Sequence, residues 1–405
     1  MTMQPVPVNR PRRLEWLMLA AVLGLVVLGG LFVASATLGS EGLGGTPWYR
    51  RGYLRQLVWY ALGLGLATLV CVRDYRWLSR WAMVVYWLSI LLLVAVLIPG
   101  IGSTQGWGAR RWITLGPAQF QPSEFAKIAF IFALASYLSR PAPELANPAS
   151  FLKTLGLCVL PFGLILREPD LGSALVFMPV GLVMIYAAGV PARYLRRVLG
   201  GAALVAVLLV VDILWAPVDW QIVKLEPYQK RRLMVYFGKD FVPPGATGAE
   251  RALALQQYRD AAHNVEQALI SVGSGGLTGK GWRQGTQNAL GYLPRAVAHN
   301  DFIFSVIAEE SGFVGSATVL ALYAVILFTG IKIASQARDR LGYLLAVGVV
   351  ALLFCHVFVN IGMNIRLMPV TGIPLPLLSY GGTSVLCSLV AIGLLQNIQL
   401  HRQPP

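Results

Sequence analysis

Apolar runs of roughly twenty residues, parted by short polar turns, occupy most of this chain; a helix needs about that many to cross roughly 30 Å of hydrocarbon. The runs fall at 15–37, 56–73, 77–98, 121–138, 152–167, 171–190, 197–216, 301–330, 342–365 and 374–398. They predict an all-α integral membrane protein of about ten transmembrane helices, a single polytopic membrane domain over 1–405. The 121–138 run is the weakest, because Glu124 and Lys127 interrupt it. One long polar stretch, 216–300, breaks the rhythm between the seventh and eighth runs and leads straight into Asp301-Phe-Ile-Phe. Ionisable groups near hydrocarbon are costly and tend to mark sites, so this juncture is the first place to look for function.

Composition agrees with the pattern. Soluble domains carry about 25% charged residues; this chain carries 13%, with 56% hydrophobic residues and a mean hydropathy of +0.63. The net charge of +15 would suggest nucleic acid in a soluble protein. Here the basic residues lie between apolar runs, where they set orientation and meet lipid headgroups, and no nucleic-acid partner is expected. With the N-terminus inside, the inner loops hold Arg73, Arg76 and Arg80, then Arg140 and Lys153, then Arg193, Arg196 and Arg197, and finally Lys332, Arg338 and Arg340. The short outer loops are poorer, with Arg50, Arg51 and Arg55 the main exception. Both termini are therefore expected in the cytoplasm and 216–300 outside, away from ATP and nucleotide sugars. Arg10, Arg12 and Arg13 precede the first run without a small-residue cleavage pattern, which reads as a retained span. Cys71, Cys158, Cys355 and Cys387 lie in or beside apolar runs as small hydrophobes, and the four histidines are scattered; no metal-ligand spacing is present.

Several constellations could carry chemistry. Asn300 or Asp301 could cap a helix start, or Asp301 could act as a partly desolvated general base. In Gln121-Pro-Ser-Glu-Phe-Ala-Lys127 the proline opens a helix, and Glu124 and Lys127 share one face at i,i+3. They form either a neutralised pair that lets a weak span insert or part of a polar cavity. Gly108-Ala-Arg-Arg-Trp112 sets two guanidiniums beside an aromatic at the outer surface, suited to phosphate. Tyr228-Gln-Lys-Arg-Arg-Leu233, with Lys224 and Lys239 nearby, is either an amphipathic helix facing headgroups or a binder of a phosphate dianion. Glu168 and Asp170 stand in a tight outer turn. Asn360 and Asn364 precede a stretch with Pro369, Gly372, Pro374, Pro376, Ser379 and Tyr380, irregular backbone tolerated at membrane depth only when it is buried in protein or lines a cavity. The glycine cluster Gly273–Gly281 fails the P-loop pattern at both ends and reads as a flexible connector or re-entrant turn. Basic groups, carboxylates and a broken helix converge on one outer cavity, which suits a lipid-linked anion such as a pyrophosphate.

At these residues the chain resembles the RodA/FtsW/SpoVE (SEDS) family of cell-wall synthesis nearly end to end. The segments that carry the resemblance include Gly108-Ala-Arg-Arg-Trp, Phe120-Gln-Pro-Ser-Glu-Phe-Ala-Lys, Glu168-Pro-Asp-Leu-Gly, Tyr228-Gln-Lys-Arg-Arg, Asp301-Phe-Ile-Phe and Pro374-Leu-Pro-Leu-Leu-Ser-Tyr-Gly-Gly. Met368-Pro-Val-Thr-Gly-Ile-Pro-Leu-Pro and Gly285-Thr-Gln look more similar to the RodA branch. The segment Leu293-Pro-Arg-Ala-Val-Ala-His-Asn-Asp departs from the family pattern, with Arg295 in place of a usual Glu.

The resemblance implies a ten-span fold and a peptidoglycan glycosyltransferase of the bacterial inner membrane that polymerises lipid II. It also implies a class B penicillin-binding protein as partner, within a cell-elongation complex. By motif position it carries an essential role to Asp301, the ion pair to Glu124 and Lys127, and recurrent arginine positions to Arg111 and Arg232. Candidate pyrophosphate ligands are Arg111, Lys230, Arg231, Arg232 and Lys280, with a divalent cation (Mg2+ or Mn2+) as an alternative source of positive charge; Glu168, Asp170, Asn360, Ser379 and Tyr380 are further cavity candidates. A lipid II carrier is the rival reading.

Overall fold

A computed structural model describes residues 14–41, 51–103, 110–115, 118–215, 227–238, 247–293 and 298–402. Lys224, Lys239, Arg295 and the first two residues of the Gly108 motif lie outside these.

Each of the ten predicted runs overlaps one of the longer helices. In chain order these are α1 (Trp16–Glu41), α2 (Gly52–Val72), the short α3 (Tyr75–Ser79), α4 (Ala82–Leu97), α5 (Pro122–Leu138), the short α6 (Ala142–Leu145), α7 (Pro148–Arg167), α8 (Leu171–Ala187) and α9 (Ala192–Trp215). The polar stretch then contributes α10 (Pro227–Tyr236), α11 (Gly248–Ser274) and α12 (Thr286–Ala289), before α13 (Ile303–Ser335), α14 (Arg340–Asn364) and α15 (Gly382–Leu400) close the bundle. Seven of the described helices, α1, α2, α7, α9, α13, α14 and α15, are long and apolar enough to cross a membrane, and α4 and α8 are shorter apolar helices. The protein is a helical, multi-pass membrane protein.

Two features go beyond the helical expectation. Between α4 and α5 lies a three-stranded antiparallel sheet, β1 (Gly102–Ser103), β2 (Trp112–Leu115) and β3 (Ala118–Phe120), with Ile113 opposite both Gly102 and Phe120. The last apolar run, 374–398, becomes helical only at Gly382; its first residues belong to an irregular segment, 365–381, as the prolines and glycines there require.

The core is built from α5, α14 and α15, whose side chains are buried nearly all round, with α8 packed against it by one face, whereas α9 exposes almost its whole surface. One face is fixed by Arg76 Nε on Asp339 Oδ2 at 2.7 Å and Lys332 Nζ on Glu15 Oε1 at 3.1 Å. Measured along α14 at 1.5 Å per residue, His356 lies about 24 Å, and Asn360 about 30 Å, from Arg340 on that face. The irregular segment and Asp301 thus sit at the opposite membrane surface.

Helix α13 is itself broken. Gly312 has φ 64° and ψ −159°, so the backbone ladder stops there and two turns of donors and acceptors need other partners. The glycine cluster supplies them. Lys280 N and Gly281 N donate to Glu309 O and Glu310 O at 3.0 and 2.9 Å, while Phe313 N and Val314 N donate to Gly276 O and Leu277 O at 2.9 and 3.0 Å. Gly276, Gly279 and Gly281 have φ of 58°, 79° and 103°, conformations that glycine alone adopts without strain. Of the two expectations for this cluster, a flexible connector or a re-entrant turn, the first gives way to a hydrogen-bonded turn that clasps a helix break.

Candidate active site

Asp301 stands in the turn just before α13. Neither it nor Asn300 caps that helix: the cap position is Phe302, without a side-chain hydrogen bond, so the capping reading is replaced. The backbone of Asp301 is held instead. Asn360 Nδ2 and Asn364 Nδ2 both donate to Asp301 O at 3.1 Å; Asn360 Nδ2 also reaches Ile373 O at 2.7 Å, and Ser305 Oγ donates to Asn364 Oδ1 at 2.6 Å. Ser379 Oγ donates to Asn300 O at 2.5 Å and accepts Leu375 N at 2.8 Å; Tyr380 N donates to His299 O at 2.9 Å. Asn360, Ser379 and Tyr380 thus bind the irregular segment to the Asp301 turn through backbone groups.

The Asp301 carboxylate makes no hydrogen bond among the described residues. A methyl group placed on Gly372 would lie 3.4 Å from Asp301 Oδ2 and 3.9 Å from Arg232 Nη1. Backbone at φ 75° therefore passes close to both groups, which suits glycine. Arg232, on α10, donates from Nη1 to Val370 O at 3.2 Å, and Tyr236 one turn on donates to Leu367 O at 3.0 Å, so α10 is seated on the irregular segment. Arg111 enters from the start of β2; its Nη2 donates to Pro169 O, and its Nη1 lies 3.8 Å from Asp170 Oδ1. Asp170 caps α8 through Ser173 N at 3.1 Å and accepts Gln121 Nε2 at 3.3 Å. Arg111, Arg232, Pro169, Leu171 and Val370 wall a small cavity of about 20 Å³.

Electrostatics follow from this geometry. Burial pushes the Asp301 carboxyl from its ordinary 3.8 up to about 6; the guanidiniums of Arg232 and Arg111 pull it down and Asp170 pushes it further up. Glu168 is fully buried with neither carboxylate oxygen hydrogen-bonded. Burial, reinforced by Asp170 and opposed by Arg111, pushes it up to about 9, which favours the protonated form at neutral pH.

The other candidates fall in distinct places. Lys230 lies two residues from Arg232 on α10 and so on another face of that helix. Arg231 is on the same helix, with its side chain outside the description. Lys280 is engaged elsewhere, with Nζ 2.6 Å from Glu309 Oε1, a carboxylate that also accepts Thr286 Oγ1 at 3.1 Å and Gln287 N at 3.0 Å. Glu124 and Lys127 do pair, at 2.6 Å, deeply buried. His356, which looked scattered in the sequence, joins them with Nε2 2.9 Å from Lys127 Nζ. Sequence reasoning missed it because α14 alone gives no reason to face α5. Among the described residues no group of three or more His, Cys, Asp or Glu side chains could hold a metal ion.

Comparison with known proteins places this geometry. The model of the FtsW/RodA/SpoVE family, described as cell cycle protein, matches residues 15–404. The peptidoglycan glycosyltransferase MrdB of Escherichia coli strain K12 is 35% identical over 95% of this chain and 93% of its own. The peptidoglycan glycosyltransferase RodA of Treponema pallidum is 32% identical over 96% and 98%. Among solved structures, a chain from a peptidoglycan synthase complex studied for its coordination of polymerization and crosslinking superposes with a TM-score of 0.74 at 30% identity, covering 96% of this chain and 98% of that one. The rod shape determining protein RodA of Thermus thermophilus gives a TM-score of 0.64 at 29% identity, covering 97% and 98%. This chain belongs to the FtsW/RodA/SpoVE family.

Proposed function

We propose that this protein is a peptidoglycan glycosyltransferase that polymerises lipid II at the outer face of a bacterial inner membrane, with both termini in the cytoplasm. The observation that carries the reading is Asp301: a partly buried carboxylate, without a hydrogen bond among the described residues, fixed through its backbone and set near two guanidiniums. A group with its proton affinity at about 6 is mostly ionised at pH 7 yet basic enough to accept a proton.

In this reading the Asp301 carboxylate takes the proton of the 4-hydroxyl of an acceptor N-acetylglucosamine. The freed oxygen pair attacks the anomeric carbon of the donor N-acetylmuramic acid, forming a β-1,4 bond with inversion. The bond from that carbon to the pyrophosphate oxygen breaks, and undecaprenyl pyrophosphate leaves with the electron pair. Arg111 and Arg232, facing one cavity, stabilise the charge that develops there. That cavity is far smaller than a lipid-linked disaccharide, so substrate entry requires α10 and the irregular segment to part. A class B penicillin-binding protein is the partner proposed for crosslinking, by likeness to the chain from the synthase complex.

A lipid II carrier is the second reading, favoured by the buried Glu124–Lys127–His356 group inside the span. Purified protein with labelled lipid II and a glycan-chain readout separates the two. Polymer that disappears in Asp301→Asn supports the enzyme; a loss of less than about tenfold removes Asp301 as the base, since a placed base contributes roughly 10²–10⁴-fold. Transbilayer movement without polymer supports the carrier.

A further inference from the structure

On the face opposite Asp301, α4, α5 and α7 enclose an open groove of about 630 Å³, within the range of small-ligand sites. Its walls are Met83, Tyr86 and Trp87 from α4, Tyr137 from α5, and Lys153 and Leu157 among the α7 residues. Glycine opens it: a methyl group at Gly156 would meet nothing within 4 Å. Two observations say what the groove takes. The Tyr137 hydroxyl is buried at the groove wall with no hydrogen-bond partner among the described residues, on a residue only 7% exposed, and a buried unpaired hydroxyl is costly. Two cations belong to this end of the groove: the Arg140 guanidinium stands 4.4 Å from the centroid of the Tyr137 ring, and Lys153 is on the groove wall.

The depth fits as well. Lys153 is five residues from the start of α7, about 8 Å along the axis, the level to which a lysine ammonium reaches back toward headgroups. Leu160 lies about 10 Å deeper, well inside a leaflet about 15 Å thick. The groove is therefore aromatic and apolar in its depth, cationic at its mouth, and short of one hydrogen-bond partner in between. We propose that it is a binding site for one anionic phospholipid, its phosphate between Arg140 and Lys153, a phosphate or glycerol oxygen paired with the Tyr137 hydroxyl, and one acyl chain along Gly156 and Leu160. The site is separate from the Asp301 cleft and independent of the reaction assigned there.

The test uses the full chain, purified and delipidated in a neutral detergent, with bound lipid counted by native mass spectrometry. Phosphatidylglycerol should be retained about tenfold or more over phosphatidylcholine of the same acyl chains, from the two basic groups at the mouth. Arg140→Gln with Lys153→Gln should erase that preference, and Gly156→Leu, which grows into open space and should keep the thermal midpoint, should abolish retention of both lipids. Equal retention of the two lipids by the wild type would overturn the proposal, as would wild-type retention in Gly156→Leu. A polyprenyl phosphate that displaces phosphatidylglycerol from the groove would overturn it in favour of the carrier lipid.

Discussion

Asp301 and Glu309 stand about two helical turns apart, at the two ends of the short first segment of α13, and they are treated in opposite ways. Glu309 is saturated: an ammonium, a hydroxyl and a backbone N–H all meet its carboxylate, and the clasp that brings them also mends the break at Gly312. Asp301 has its backbone carbonyl doubly held and, among the described residues, its carboxylate without a hydrogen bond. A saturated buried carboxylate holds structure; an anchored but unsatisfied one is poised for chemistry. The sharpest way to break this contrast is a pair of isosteric variants. Asp301→Asn should lower glycan polymerisation by at least about 100-fold with an unchanged thermal midpoint. Glu309→Gln should lower the midpoint and leave turnover per folded molecule within a few-fold. Reversed results would dissolve the distinction.

The clasp makes a second, asymmetric prediction. Glu309 is almost fully buried, whereas Lys280 is about a quarter exposed. Lys280→Ala strands a carboxylate that cannot reach water and should cost about 2 kcal/mol or more, whereas Glu309→Ala lets the lysine turn outward and should cost less. Thermal unfolding of the two variants ranks them. A Lys280→Ala protein of native stability that binds lipid II poorly would instead return Lys280 to the pyrophosphate site.

A smaller effect should appear in the pH profile. With Asp301 at about 6, polymerisation should rise through pH 6 to a plateau as the carboxylate ionises. Arg232 opposes the upward push of burial, so Arg232→Gln must raise the proton affinity further and move that limb to higher pH, in addition to lowering the plateau. An unmoved limb would mean that Arg232 does not act on Asp301.

What could be read from the sequence and what could not divide along the same physical line. Each of the ten runs contributes a helix, the last only from Gly382 on, because a long apolar run in hydrocarbon must satisfy its backbone groups within itself. The irregular 365–381 segment announced itself through Pro369, Gly372, Pro374 and Pro376, whose backbone limits are local. The Glu124–Lys127 pair is an i,i+3 spacing and needs no fold at all. In contrast, His356 meets Lys127 only through the packing of α14 on α5, and the partners of Glu309 come from more than twenty residues away. The glycine cluster looked like slack chain because positive φ at Gly276, Gly279 and Gly281 acquires its meaning from the break at Gly312. The long α11 was missed within the polar stretch, although its Ala, Leu, Gln, Glu and Arg residues are good helix formers.

Glu168 offers the subtlest test, because it shows how an unsatisfied carboxylate behaves when no reaction claims it. It is buried completely, its oxygens have no hydrogen bond among the described residues, and its proton affinity is pushed to about 9, above its ordinary 4.5. Between those values the folded chain holds a proton that the unfolded chain releases. Rising pH therefore favours unfolding across that window, by up to about 1.4 kcal/mol per pH unit, and the loss levels off above pH 9. Glu168→Gln removes the titration while keeping the shape, so the thermal midpoint of the variant should gain on the wild type steadily from pH 5 to pH 9. The two should coincide near pH 4, where both side chains are neutral. If the curves run parallel throughout, Glu168 is ionised in the fold, and Arg111 must then stabilise that carboxylate as well as pairing with Asp170.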